Sequence, residues 1–346
     1  MPVYRLASRR GFTLIELMIA MVLGLLILTA TVRIMLSSSQ SSTSQQAGSD
    51  AVNDEVFGAS ILYDSIIMAN YGASSATSSK QDRFVINNLT PFGGVVTTAV
   101  TAQPTSILEV NLMGFLGAAP TNFLTSESST LSASSFGGNS DQLVVQHAIP
   151  ANSSEVYDCT GRQVSLPANY DPLIPVNTAS ADVNQPRFLV ERYFVRNDSN
   201  TALPGEPSSL SLVCAAGVYF FNPVSSRFEF QGSGAADLRG SGSVLIGRVD
   251  HFNVLLGVNP GADLAEVPDN NNIQYLTAAQ YQALSSPRRR IVSVQVGLVT
   301  RSSSPIPANS SPKTFNVLGE NLTLTGDTNY GRQVLEKTIM IRNGRG

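Results

Sequence analysis

The chain has 346 residues, enough for one large or two modest globular units. Charged side chains make up 14% of it and the formal net charge is −3, while Ser, Thr, Asn and Gly are abundant. That profile fits exported, β-rich surfaces and excludes a strongly basic nucleic-acid binder. With two histidines and no GxSxG or HExxH string, the acid–base and zinc-hydrolase toolkits are nearly empty and catalysis is not expected.

The first stretch sets the terms for the rest. Residues 1–11 hold Arg5, Arg9 and Arg10 with no acid, and Phe12 to Val32 then runs for 21 residues with Glu16 as its one ionisable side chain. At about 1.5 Å per residue this run spans roughly 30 Å, the depth of a bilayer's hydrocarbon core. The basic leader holds the N-terminus in the cytoplasm and sends the C-terminal bulk outward. A secretory signal peptide and a plain signal anchor are the ordinary readings. The first wants small residues for cleavage after its apolar core, where Thr29-Ala30-Thr31 is a poor match. The second has no use for Glu16, since a carboxylate deep in a bilayer costs about 2.5–3.5 kcal/mol. An acid that costly calls for a partner.

The string GFTLIELMIAMVLGLLIL, Gly11 to Leu28, resembles the type III signal of type IV prepilins and type II secretion pseudopilins. The resemblance implies that prepilin peptidase cuts between Gly11 and Phe12 and N-methylates the new amine of Phe12. A residue without a side chain at the cut suits close approach of a protease to the backbone. It also implies that Glu16, then fifth in the mature chain, pairs with the N-terminal amine of a neighbouring subunit and sets filament register. Three of the 22 basic residues lie in the leader, so 19 then face 25 acids, a mildly acidic product with no general attraction for DNA.

Residues 33–48 are rich in Ser, Gln and Thr and alone read as a linker. Val52, Val56, Ala59, Tyr63, Ile66 and Ile67 then recur at steps of three and four up to Asn70-Tyr71-Gly72, with Gly72 suited to a helix C-cap. We therefore expect one long helix over residues 12–72: 12–32 as transmembrane segment and filament core, 33–72 as a periplasmic half built into a globular head of residues 73–346. Residues 73–140 show weak alternation and long loops. From Asp141 on, strand signals sharpen at 142–147, 187–195, 210–214, 218–221, 227–230, 244–258, 290–300, 315–324 and 335–342, separated by Gly, Pro, Asn or Asp. Segregated helix and strands predict an α+β fold with a mainly antiparallel sheet.

Cys159 and Cys214 are the two cysteines. In an exported segment they read as one disulfide closing a loop of about 55 residues, worth about 4 kcal/mol in the loop-entropy model. Asp263, Asp269 and Asn271, with neighbouring oxygen ligands, are weak calcium candidates, but the EF-hand spacing fails and an Asn/Asp-rich turn is the default. No cofactor and no firm metal site is expected. Arg288-Arg289-Arg290 reads as a solvated strand entrance and Gly240-Ser241-Gly242-Ser243 as a turn, not a phosphate loop.

Two further regions resemble one family. Leu62 to Gly72 is similar to the end of the stem helix in PilW-type minor pilins, and 247–259, 275–280, 291–301 and 330–343, the last closing in Thr-Ile-Met-Ile-Arg-Asn, are similar to that family in order and spacing. The resemblance leaves residues 73–140 uncovered. It implies a pilin-like fold and a minor pilin that primes assembly of, and stays near the tip of, a type IV pilus used for twitching, adhesion or DNA uptake. Implied partners are prepilin peptidase, other minor pilins, the major pilin and the inner-membrane assembly platform, with a tip adhesin as a further candidate. The head would sit in the periplasm and then on the cell surface. A J-type pseudopilin of type II secretion and a pilin-anchored adhesin head, with 73–140 as its binding surface, are the alternatives.

Overall fold

The structure is a computed structural model and describes residues 13–69, 125–129, 132–149, 155–166, 187–198, 209–222, 227–258, 273–284, 291–305, 313–324 and 330–341. Helix α1, Leu14–Met68, runs for 55 residues, about 80 Å at the usual rise. Its two ends live in different surroundings. Every side chain from Leu14 to Ser42 is exposed, whereas Gly58, Ala59, Leu62, Ser65, Ile66 and Ala69 are buried. The buried positions repeat at three and four, the stripe by which a helix docks on a sheet. The stripe is centred on Leu62 and not on Tyr63, which is half-buried at its rim. The helix stops at Met68 because Ala69 turns extended and its N–H reaches back to the Ile66 carbonyl. Gly72 lies outside the described residues.

The head is built from two antiparallel sheets. In the first, β1 (Leu143–Ala148), β2 (Arg187–Asn197) and β3 (Leu210–Asn222) pair in order. The other edge of β3 is shared by β5 (Ser243–Gly247) at 211–214 and β4 (Arg227–Phe230) at 219–222. Helix α2, Gly234–Arg239, lies between them in sequence. The second sheet has the order β11–β8–β6–β7, with β6 Val249–Val258, β7 Gln274–Leu276, β8 Ile291–Pro305 and β11 Tyr330–Met340. Helix α3, Ala278–Gln282, follows β7 and is capped by Thr277. A hairpin of β9, Thr314–Val317, and β10, Glu320–Thr323, completes the set.

One core joins these parts. Leu62 and Ile66 from α1, Leu143, Tyr193 and Leu212 from the first sheet, and Phe252, Val296 and Leu298 from the second form a single buried cluster. The far face of the second sheet is covered in turn, with Val299 packed among Phe136, Phe315, Val317, Leu322 and Leu324. The arrangement is α+β, a long apolar N-terminal helix with a mainly antiparallel head.

Three strands differ from their sequence reading, each for a backbone reason. Gly217, read as a break between 210–214 and 218–221, stays inside β3 because the Gly234 carbonyl occupies the space a Cβ would need. The run 244–258 splits at Arg248, whose φ of 57° turns the chain so that β5 and β6 enter different sheets. The run 315–324 contains Leu318 and Gly319 at φ 49° and 90°, two left-handed residues that make it a hairpin and not one strand.

Candidate functional site

The chain's first functional surface is the start of α1. Gly11 and Phe12 lie outside the described residues, and the structure begins at Thr13, the N-cap. The Thr13 hydroxyl accepts from the Glu16 N–H at 3.3 Å, and Glu16 Oε2 accepts from the Thr13 N–H at 3.0 Å and its hydroxyl at 3.1 Å. This is a reciprocal capping box. Within one chain the acid thus has local donors, which reasoning from insertion cost alone passed over. The Thr-x-x-Glu spacing before an apolar run was the signal for it.

Beyond this cap the helix presents apolar surface to the outside. Leu14–Ser42 is long and apolar enough to cross a membrane, and none of that window is buried. Leu14, Met21 and Ile27 are each about two-thirds exposed or more. Among the described residues nothing covers them. An apolar helix of this length with an open surface is consistent with a membrane anchor, and such a surface can also pack against other helices.

The head contributes a second set of groups. Cys159 and Cys214 are joined as a disulfide with Cα atoms 6.1 Å apart. The turn carrying Cys159 is organised by Asp158, whose carboxylate accepts from the N–H groups of Thr160 and Arg162. Arg162 bridges to Asp237 on α2, which Ser233 also contacts; the guanidinium and hydroxyl together hold the Asp237 carboxyl below its ordinary range. Beneath the turn, Glu191 accepts from the Cys159 N–H at 2.7 Å, from the Tyr193 hydroxyl at 3.1 Å and from the Ser65 hydroxyl of α1. Burial raises the Glu191 pKa despite these donors. Neither Glu191 nor Ser65 was singled out from the sequence. A Glu amid β-branched and aromatic residues in Arg187–Val195, on a strand expected to be buried, was the available sign.

Other buried polar groups serve the fold. Asp250 and Arg332 pair at 2.7 Å between β6 and β11, with the Ser135 hydroxyl donating to Asp250. Asp141 accepts the N–H groups of Ser128 and Val254, and burial lifts its pKa to about 7, helped by Glu127 and Glu320. His147 and His251 stand on β1 and β6, and burial lowers both to about 4, so they are neutral at ordinary pH. His251 Nδ1 lies 2.9 Å from the Ser134 hydroxyl and its ring meets Phe136 edge-on, a packed setting without access for a substrate.

Among the described residues no group of three or more His, Cys, Asp or Glu is placed to hold a metal ion. The calcium candidates Asp263, Asp269 and Asn271 lie outside the described residues, as do Arg288 to Arg290. Gly240 to Ser243 form a bend into β5, and Gly242, at φ 67°, passes so close to the Cys214 carbonyl that a Cβ would collide with it.

Comparison with known proteins matches two regions of the chain. Residues 6–32 match the family model described as Prokaryotic N-terminal methylation motif, and residues 192–343 match Type IV Pilus-assembly protein W. No curated protein matches the chain. Among solved structures, a type IV-like pilin from Thermus thermophilus is similar at 10% identity and a TM-score of 0.35, covering 85% of this chain and 97% of that one. That likeness is too distant to add to the family matches. With the methylation motif at its start and the PilW region spanning most of β2 through β11, this chain is similar to type IV pilus-assembly proteins of the PilW type over its second half and to N-methylated pilin-like proteins at its start.

Proposed function

We propose that this minor pilin is cut between Gly11 and Phe12, N-methylated on Phe12, and built with other minor pilins into the complex that primes a type IV pilus and remains near its tip. The observation that carries this reading is the surface of α1, where an apolar stem with no cover from the described residues stands on the same polypeptide as a head whose residues 192–343 match the PilW family model. Before assembly the stem is held in the inner membrane, N-terminus inward and head in the periplasm. Prepilin peptidase and the inner-membrane assembly platform meet it there. After extraction, the Leu14 to Val32 surface packs among the stems of other minor pilins and of the major pilin.

The role is structural, one of packing and not of turnover. Glu16 leaves its capping box for the methylated amine of a neighbour's Phe12, because an ammonium opposite a carboxylate in an apolar core offsets a desolvation cost that two Thr13 donors offset only in part. The head spans most of the chain, a bulk that suits a tip position better than a repeating place in a thin filament.

Mass spectrometry of sheared surface filaments tests the proposal. A tryptic peptide beginning at methylated Phe12, in trace amount relative to a major pilin, is the expected result. Finding the protein solely in membranes with residues 1–11 still attached would overturn it.

A further inference from the structure

Three segments far apart in the chain end on one buried side chain. Glu191, on β2, receives the Ser65 hydroxyl from the last turns of α1, the Cys159 N–H from the disulfide-bound turn and the Tyr193 hydroxyl from its own strand. Glu191 is 4% exposed, Ser65 6%, Cys159 5% and Tyr193 not at all. A buried carboxyl is strongly unfavourable unless its oxygens are satisfied. Of the donors, Ser65 belongs to the stem helix, and the Cys159 N–H belongs to a turn that the Cys159–Cys214 bond fastens to β3. Each outside donor improves the site for the other, because both act on one carboxyl in a region that excludes water.

We infer that Glu191 is the positioning residue that seats the C-terminal turns of α1 in the head, and that it holds them firmly only while Cys159 and Cys214 are joined. Closure is a thiol–disulfide exchange. The two thiols lose two protons and two electrons, their S–S bond forms, and the S–S bond of a disulfide-bearing oxidant of the exported compartment breaks to give its dithiol. The exchange draws the turn onto β3 and sets the Cys159 N–H on Glu191 Oε1. With that donor in place, Oε2 is ready for Ser65. The reduced head keeps both sheets, whose pairing does not pass through the turn, while the end of α1, still packed through Leu62 and Ile66, opens more often. Oxidation in the exported compartment therefore sets how firmly the C-terminal turns of α1 are seated in the head. The source of the oxidant rests on the exported topology proposed above, while the coupling of the disulfide to the helix end concerns the folded chain alone and is tested apart from it.

Amide hydrogen exchange on the full chain in detergent micelles tests it, following residues 58–69 against β6 and β8. Reduction, or Cys159→Ser with Cys214→Ser, is expected to speed exchange at 58–69 by about tenfold or more while β6 and β8 change little. Ser65→Ala is expected to give the same local effect with the disulfide intact. In the Ser65→Ala background, reduction should add little, because the two act through one carboxyl. Glu191→Gln, which keeps an acceptor for Cys159, should hold the helix end, and Glu191→Leu, which fills the same space without one, should release it. Unchanged exchange at 58–69 on reduction, simply additive effects of Ser65→Ala and reduction, equal behaviour of the Gln and Leu variants, or loss of protection in all strands together would each overturn the inference.

Discussion

The two ends of α1 are made of the same secondary structure and teach opposite lessons about stability. From Leu14 to Ser42 the helix shows its apolar surface to the outside, and its one acid is satisfied by the neighbouring Thr13. From Gly58 to Ala69 the helix is fitted into a core between two sheets, with a serine bonded to a buried glutamate. Changes in the first end alter what the chain can join, because no contact with the described head is lost. Changes in the second alter whether the head holds together. The helix is one element by hydrogen bonding and two by energetics.

The largest effect that would break this contrast comes from Glu16→Val. Surface filaments should lose the protein by about tenfold or more, the scale of removing one partner of a desolvated charge pair, while the melting temperature of the head stays unchanged. A fall in melting temperature would show that the stem supports the head after all. At the other end, Leu62 is fully buried in the central cluster. Leu62→Ala should cost about 3 kcal/mol and lower the melting temperature by roughly 10 °C, read by calorimetry or circular dichroism.

A pH titration sharpens the picture of the head that receives the helix. Asp141 has its folded pKa raised from 3.8 to about 7, so the folded state binds more protons than the unfolded one across that window. Stability from this group is fully present at the acid end and falls as pH rises through about 4 to 7. Asp141→Asn should remove roughly 3 kcal/mol of that fall, measured as the difference between the urea-unfolding free energies of the two proteins at pH 4.5 and pH 8. A difference that does not change with pH would contradict it.

The smallest effect belongs to Gly58, where a Cβ would strike the Leu245 carbonyl and Ile246 of β5. Ala is the better helix former by about 1 kcal/mol, yet Gly58→Ala should destabilise by about 1 kcal/mol because the backbone carbonyl cannot yield. The same substitution at Gly24, which has nothing nearby, should leave the head untouched. That pair of glycines repeats the contrast between the two ends at the scale of one methyl group.

Much of this could be read from local pattern. The apolar run with its isolated Glu16, the leader charge and the Thr-Ile-Met-Ile-Arg-Asn close are properties of short windows, and the matched family regions lie over both ends. Strand positions were readable because β-branched and aromatic runs between turn residues carry a local preference. Partition into sheets was not, because it hangs on single backbone torsions at Arg248 and Leu318, residue types that do not announce a left-handed turn, and Gly319 was the one local sign of the hairpin.

The chain's own letters thus settle the stem, the presence of a long helix and a β-rich head, since hydrophobic length and periodicity are written along the backbone. Tertiary packing alone settles which helix face is inner, why Leu62 outranks Tyr63, and that Ser65, Cys159, Tyr193 and Glu191 meet. The Ser65–Glu191 contact joins residues 126 apart and the Cys159–Glu191 contact residues 32 apart. A contact of that kind has no local propensity to betray it and exists only once the sheets and the helix have closed around it.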